Sequence, residues 1–331
     1  MRLGLNLVPP DAGALLEEAE RLGFAYALAP EGLRDAVSVI GWAVGRTTEI
    51  GLVSGVCQIP ARTPAMMAMT AATLGTLSGG RFRLGLGVSN PHATEGWYGR
   101  PFAGPLHRTR EYVEIVRMAL RGEEARYDGA HYRLPLDESG TGLRLPAPAP
   151  VPIFLAAVGP RNLELAGELG DGWIGTFLSP DRVRDAVARI GKGRERAVNP
   201  APDFEVVLTV PMALGDGPVA ELARPIAQYA AHFLSMGHRE ENFYYRIAVE
   251  MGYGEAARFV QDRYVAGDRR GAAEAVPFEF VDAMSLLGPP ERVADRLKAY
   301  AEAGVTTLCV GPIAPTEPER LAALRTVAGL L

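Results

Sequence analysis

Short apolar runs alternate with longer segments of helical period along the chain, which predicts repeated strand–helix units and a parallel sheet. Strands are expected at residues 2–8, 25–29, 50–54, 83–88, 153–158, 172–176, 204–213 and 306–310. Helical patterns fall between them at 12–22, 36–46, 64–77, 106–121, 161–169 and 180–196. Gly23 stands where the first helix should stop, and Pro64 stands in the first turn of a later one. Tyr127-Asp128-Gly129, running to Tyr132, reads as a small hairpin. Eight strands joined by helices predict an α/β fold, a (β/α)8 TIM barrel, as a single domain over residues 1–331. Residues 218–300, between the seventh and eighth strands, are mostly helical in pattern and include the last helix before strand 8. A connection that long is expected to carry function, as a lid or a subunit interface. The Pro-rich stretch 146–152 reads as a loop within the barrel, because the alternation continues unchanged past it.

Composition agrees with a soluble protein of sizeable core: of 331 residues, 48% are hydrophobic and 22% charged. Apolar runs fall well short of the ~18 residues a membrane span needs. The opening MRLGLNLVPPD has too short an apolar stretch for a secretory signal and reads as a first strand. Two cysteines, Cys57 and Cys309, with no CxxC, make a disulfide framework or zinc site unexpected and fit a reducing cytoplasm. A net charge of −5 gives no electrostatic case for nucleic acid or a membrane surface as partner. Lys192 and Lys298 are the only lysines and lie on polar helical stretches, so Schiff-base chemistry has no good candidate.

A barrel of this type carries its chemistry at the C-terminal ends of its strands. Segments 30–35, 55–62, 89–99, 159–162 and 177–180 are therefore the candidates. The run from Ala156 through Gly159 to Asn162 turns directly into a helix. A helix start presents free N–H groups, so a phosphate would bind there, with Arg161 or Asn162 as further donors; an ordinary strand-to-helix turn gives the same string. Gly85-Leu86-Gly87-Val88-Ser89-Asn90 resembles part of a dinucleotide fingerprint but lacks its third glycine. It suits a flat ring meeting bare backbone better. Residues 91–99 read as a loop holding His92, Glu95, Trp97 and Tyr98, acid/base candidates beside aromatics. Glu31 is a general acid or the buried partner of an arginine. No HxH, HExxH or GxSxG string occurs, which disfavours metal-dependent and serine hydrolysis.

Three stretches together resemble the bacterial-luciferase-like flavin and deazaflavin oxidoreductases. They are Arg62-Thr63-Pro64 with TLGTLSGGRFRLGLG at 73–87; PIFLAAVGP at 152–160 with LAGE at 165–168 and DGW at 171–173; and Gly288 with YAEAGV at 300–305. The block from Gly87 to Asn90, with 95–99 and Arg110-Glu111-Tyr112, resembles the branch that uses coenzyme F420, a deazaflavin. The resemblance implies a non-proline cis peptide at Gly55-Val56, behind the cofactor ring. It implies backbone contacts from Val88, Ser89 and Asn90 along the ring and ribityl chain, and a second cofactor loop at Ala156, Ala157, Val158 and Gly159. It implies a homodimer and a small-molecule substrate. Related sugar-phosphate dehydrogenases have Asp-His after strand 2, where this chain has Pro30-Glu31, and an acidic residue at the place of Asn90. Their catalytic assignment and substrate are therefore not carried over, and Glu31, His92 and Glu95 are the replacement catalytic candidates.

The expectation is hydride transfer between F420 and a C=C, C=N or alcohol/carbonyl group. Three rivals remain open at this stage: an FMN-dependent monooxygenase of the same fold, a barrel hydrolase using Glu31 and Glu95 as a carboxylate pair, and a catalytically idle cofactor-binding relative.

Overall fold

A computed structural model describes residues 1–8, 12–147 and 150–331, so residues 148–149 of the Pro-rich stretch and 9–11 lie outside the described residues. The first half of the chain runs β1 (Arg2–Asn6), α1 (Ala12–Arg21), β2 (Tyr26–Ala29), α2 (Ala36–Val44), β3 (Gly51–Ser54), β4 (Cys57–Gln58), α3 (Pro64–Leu77), β5 (Phe82–Gly87), α4 (Pro91–Gly96) and α5 (Pro105–Leu120). The hairpin β6 (Tyr127–Asp128) and β7 (Arg133–Leu134) follows, then β8 (Ile153–Ala156), α6 (Pro160–Leu169), β9 (Gly172–Thr176), α7 (Pro180–Arg194) and β10 (Glu205–Leu214). The last part holds α8 (Val219–Leu234), α9 (Phe243–Glu250), α10 (Gly254–Val265), α11 (Arg269–Glu274), α12 (Phe278–Ala283), β11 (Leu286–Gly288), α13 (Pro290–Glu302), β12 (Thr307–Pro312) and α14 (Glu317–Ala328).

Parallel pairing in the order β1–β2–β3–β5–β8–β9–β10–β12 returns to β1 and closes the sheet. The fold is the expected (β/α)8 barrel. Side chains alternate along each strand. Tyr26, Leu28, Val53, Phe154, Ile174, Val207 and Cys309 pack together as one buried cluster inside the ring. Their neighbours in sequence, such as Ala27, Leu52 and Leu208, belong to the larger layer between strands and helices. The N-terminal end of the ring is plugged by a polar group: the Tyr26 hydroxyl and Arg2 both donate to Glu205. Burial, then Glu205, pushes the Tyr26 phenol up to about 12.

Three elements differ from the sequence reading. Residues 91–96 are helical, not loop: Asn90 caps the segment by accepting from the Ala93 N–H at 2.9 Å, and Pro91 occupies the first turn. The short strands β4 and β11, two and three residues long, pair with β5 and the end of β10. Segments that brief show no periodicity. The 218–300 region is mostly helical as expected. Its helices build a second apolar cluster that reaches the barrel through Phe177, Ala213 and Leu287.

Candidate active site

The strands' C-terminal ends open into a cleft of about 520 Å³, bounded by the strand-end loops, α8 and the start of α9. Among residues singled out from sequence, Glu31, Gly55, Val56, Val88, Ser89, Asn90, Ala156, Ala157, Val158 and Asn162 line it. Gly159, Arg161, His92 and Glu95 do not.

One wall is made where the β3, β5 and β8 ends approach without side chains between them. The Gly55–Val56 peptide is cis, as the resemblance implied. The Gly55 N–H donates to the Ala29 carbonyl at 2.8 Å, and a Cβ on Gly55 would stand 2.1 Å from Leu28 Cδ2. A Cβ on Gly85 would meet the Ser54 carbonyl oxygen at 1.8 Å, and one on Gly87 would meet Val56 Cγ2 at 2.5 Å. Only glycine lets the strands pack this closely. Ser54 ties β3 to β5, its hydroxyl donating to the Gly85 carbonyl at 3.0 Å and accepting from the Gly85 N–H at 2.8 Å.

A polar chain braces the rim of this wall. Ser89, at φ 67°, donates its hydroxyl to Gln58 Oε1. The Gln58 N–H donates to Glu31 Oε1 at 2.9 Å, and Arg62 Nη1 donates to both Glu31 oxygens at 3.0 and 2.9 Å. Arg62 also donates to Asp35, which caps α2 by accepting from the Ser38 N–H at 3.0 Å. The Glu31 side chain is only 5% exposed. Of its two readings from sequence, the buried partner of an arginine is the one the geometry displays. Glu31 holds the wall rather than standing free in the cleft.

His92 and Glu95 are both exposed residues of α4. His92 meets Trp97 edge to face at 6.0 Å, and Glu95 accepts from the Phe102 N–H at 3.1 Å. Glu31 faces the cleft and Glu95 does not, so the carboxylate pair a hydrolase needs is not assembled there. Burial pushes the Cys57 and Cys309 thiols up to about 12, which leaves neither as a thiolate at neutral pH.

Next to the glycine wall, Gly159 caps α6, Pro160 fills the first turn and Asn162 reaches the cleft lining. Arg161, in the same turn, is exposed and forms no ion pair with a described residue. The free N–H groups and dipole of this helix start suit an anion. Phe243 of α9 closes over the turn, so that a Cβ on Gly159 would lie 2.8 Å from its ring.

Sequence reading missed the opposite contribution. Tyr229, His232, Phe233 and Met236 of α8 and the residues just beyond it line the cleft, at a spacing that puts them on one helical face. That period was legible, but what the face covers depends on how a long connection folds back. His232 Nδ1 lies 3.0 Å from the Tyr264 hydroxyl, and burial, then Arg269 and His92, lowers its pKa. Asn6, Thr176 and Thr209 add polar groups from the ends of β1, β9 and β10.

The closed parallel barrel thus carries a glycine-backed cleft at its strand ends with a helix start beside it. The Luciferase-like monooxygenase family profile matches residues 5–307, and the chain belongs to that family. It is 37% identical to “Putative coenzyme F420-dependent oxidoreductase Rv3520c” of Mycobacterium tuberculosis, over 98% of this chain and 99% of that one. It is 29% identical to the 5,10-methylenetetrahydromethanopterin reductase of Archaeoglobus fulgidus, over 97% and 96%. The fold is shared with the F420-dependent tetrahydromethanopterin reductase of Methanopyrus kandleri, at TM-score 0.83 and 23% identity over 100% of this chain and 98% of that one.

Proposed function

We propose that this protein is an F420-dependent oxidoreductase that moves a hydride between F420 and a small organic substrate. The single observation that carries the reading is the cleft wall of Gly55, Val56 and Gly87, with the α6 start beside it, in a chain 37% identical to a relative named for F420 dependence. Bound F420 supplies a ring carbon that gives or takes a hydride. The protein's task is to hold that carbon near the substrate and keep the geometry fixed.

In this reading Gly55, Val56, Val88, Ser89 and Asn90 would hold the ring and ribityl chain, with Ala156, Ala157 and Val158 as a second cofactor loop, and Gly159, Arg161 and Asn162 at the α6 start would hold the phosphate. Glu31, through Arg62 and Gln58, keeps the rim in position and is the one member of the Glu31, His92 and Glu95 set that lines the cleft. A homodimer is supported by exposed apolar side chains on α2 and α3: Trp42, Met66, Met69 and Leu77. A reducing, cytoplasmic setting is supported by two free, buried cysteines.

The test is turnover. Reduced F420 with a panel of enones, imines and ketones should yield oxidised F420 for at least one substrate, with no consumption of oxygen. Oxygen uptake with reduced FMN and an aldehyde, and none with F420, would overturn the reading.

A further inference from the structure

The α8 side of the cleft has its own chemistry, distinct from the glycine wall. Phe233 is the centre of an aromatic group. Its ring centroid lies 4.5 Å from that of Tyr229, 4.6 Å from Tyr244 and 5.8 Å, stacked, from Phe177. Such packing fixes the rings, so the surface they offer is rigid and apolar.

One polar feature interrupts it. Thr209 donates its hydroxyl to Thr176 Oγ1 at 2.6 Å, and both threonines line the cleft together with Tyr229. Tyr229 is 41% exposed and lines the cleft, and its hydroxyl has a proton to donate to a ligand. Asn6, which also lines the cleft, has its Oδ1 buried with no partner among the described residues.

Charge is scarce. Arg34 is the one Arg or Lys among the described lining residues, and it belongs to the loop after β2. Glu31 is matched by Arg62, and on the α8 side Glu241, His232 and His238 also line the cleft. A phosphorylated or polycarboxylate substrate would find no arginine or lysine among the described lining residues of the α8 side and would face the Glu241 carboxylate.

We propose that the α8 side of the cleft binds a neutral, largely apolar substrate bearing a single oxygen function, with Tyr229 donating a hydrogen bond to that oxygen. This deepens the F420 reading and rests on it.

The experiment is calorimetric titration of the F420-loaded protein with three probes that share a ring: acetophenone, ethylbenzene and phenyl phosphate. F420 binding is measured first and separately, so failure of the cofactor reading is seen on its own. Acetophenone should bind at least tenfold more tightly than phenyl phosphate. Tyr229→Phe keeps the ring and removes only the hydroxyl. It should weaken acetophenone about three- to tenfold, the worth of one hydrogen bond, and leave ethylbenzene and F420 unchanged. The proposal is overturned if phenyl phosphate binds as tightly as acetophenone. It is equally overturned if acetophenone does not bind the loaded protein, or if Tyr229→Phe affects acetophenone and ethylbenzene alike.

Discussion

Arg62→Met tests the polar chain that braces the cleft. The guanidinium donates to both Glu31 oxygens and to Asp35, while the Glu31 side chain is 5% exposed and that of Arg62 20%. Methionine fills much of the volume and removes the charge. Glu31 is then left with the Gln58 N–H as its remaining partner. Removing one partner of a buried pair costs about 3–5 kcal/mol. The cleft is open to water, which can rehydrate part of the uncovered carboxylate, so the expected loss falls just below that range, at about 2–3 kcal/mol. Urea unfolding followed by tryptophan fluorescence reads it directly. Because a chain of this size moves by about 2 °C per kcal/mol, the melting temperature should fall by about 4–6 °C. F420 affinity should fall with it, since Gln58 carries the side chain of Ser89. The double variant Glu31→Met, Arg62→Met removes both charges and should recover most of the loss. A loss below about 1 kcal/mol for Arg62→Met, or a double variant as unstable as the sum of its parts, would refute the reasoning.

Acid stability should depend on Glu18, which accepts from Arg21 and from Arg325, joining α1 to α14. Those hydrogen bonds hold its carboxyl down at about 2. A folded-state pKa below the unfolded one gives stability that is full above the ordinary carboxylate range and lost as pH falls toward about 2. Glu18→Gln should therefore melt below wild type at pH 7 and level with it near pH 2, in parallel thermal scans. Gly85→Ala forces a Cβ to within 1.8 Å of the Ser54 carbonyl. It should cost more than about 3 kcal/mol and abolish accumulation of folded protein, as judged by circular dichroism. Gly87→Ala meets only the tip of Val56, at 2.5 Å, so it should fold yet bind F420 at least tenfold more weakly. Arg161→Ala and Asn162→Ala should each weaken F420 about tenfold but leave the phosphate-free deazaflavin riboside unaffected. Equal loss with both ligands would remove the α6 start from the cofactor site.

Much of this was legible in the sequence because the signals are local. Apolar runs bounded by Gly and Pro identify barrel strands, and closely spaced glycines at 85 and 87 identify where strands must touch. The helix start at Pro64 is read from a single residue. The α8 face of the cleft was not legible. Tyr229, Phe233 and Thr176 become neighbours only when residues 218–300 pack back over the barrel, and no spacing rule reports that contact. Two of the acid/base candidates came from His92 and Glu95 lying beside aromatics, in a segment read as loop. An Asn cap followed by proline turns that segment into a helix, and both side chains stand exposed on it. Glu31 was recognised as a choice between acid and ion-pair partner, and the partner, Arg62, stands 31 residues away in the chain.

Fluorescence titration of the purified protein with oxidised F420 and, separately, with FMN tests the central claim most directly. The account predicts F420 binding at micromolar or tighter concentration and FMN binding far weaker. Tight FMN binding with little affinity for F420 would contradict it and make the chain a flavin-dependent member of its family.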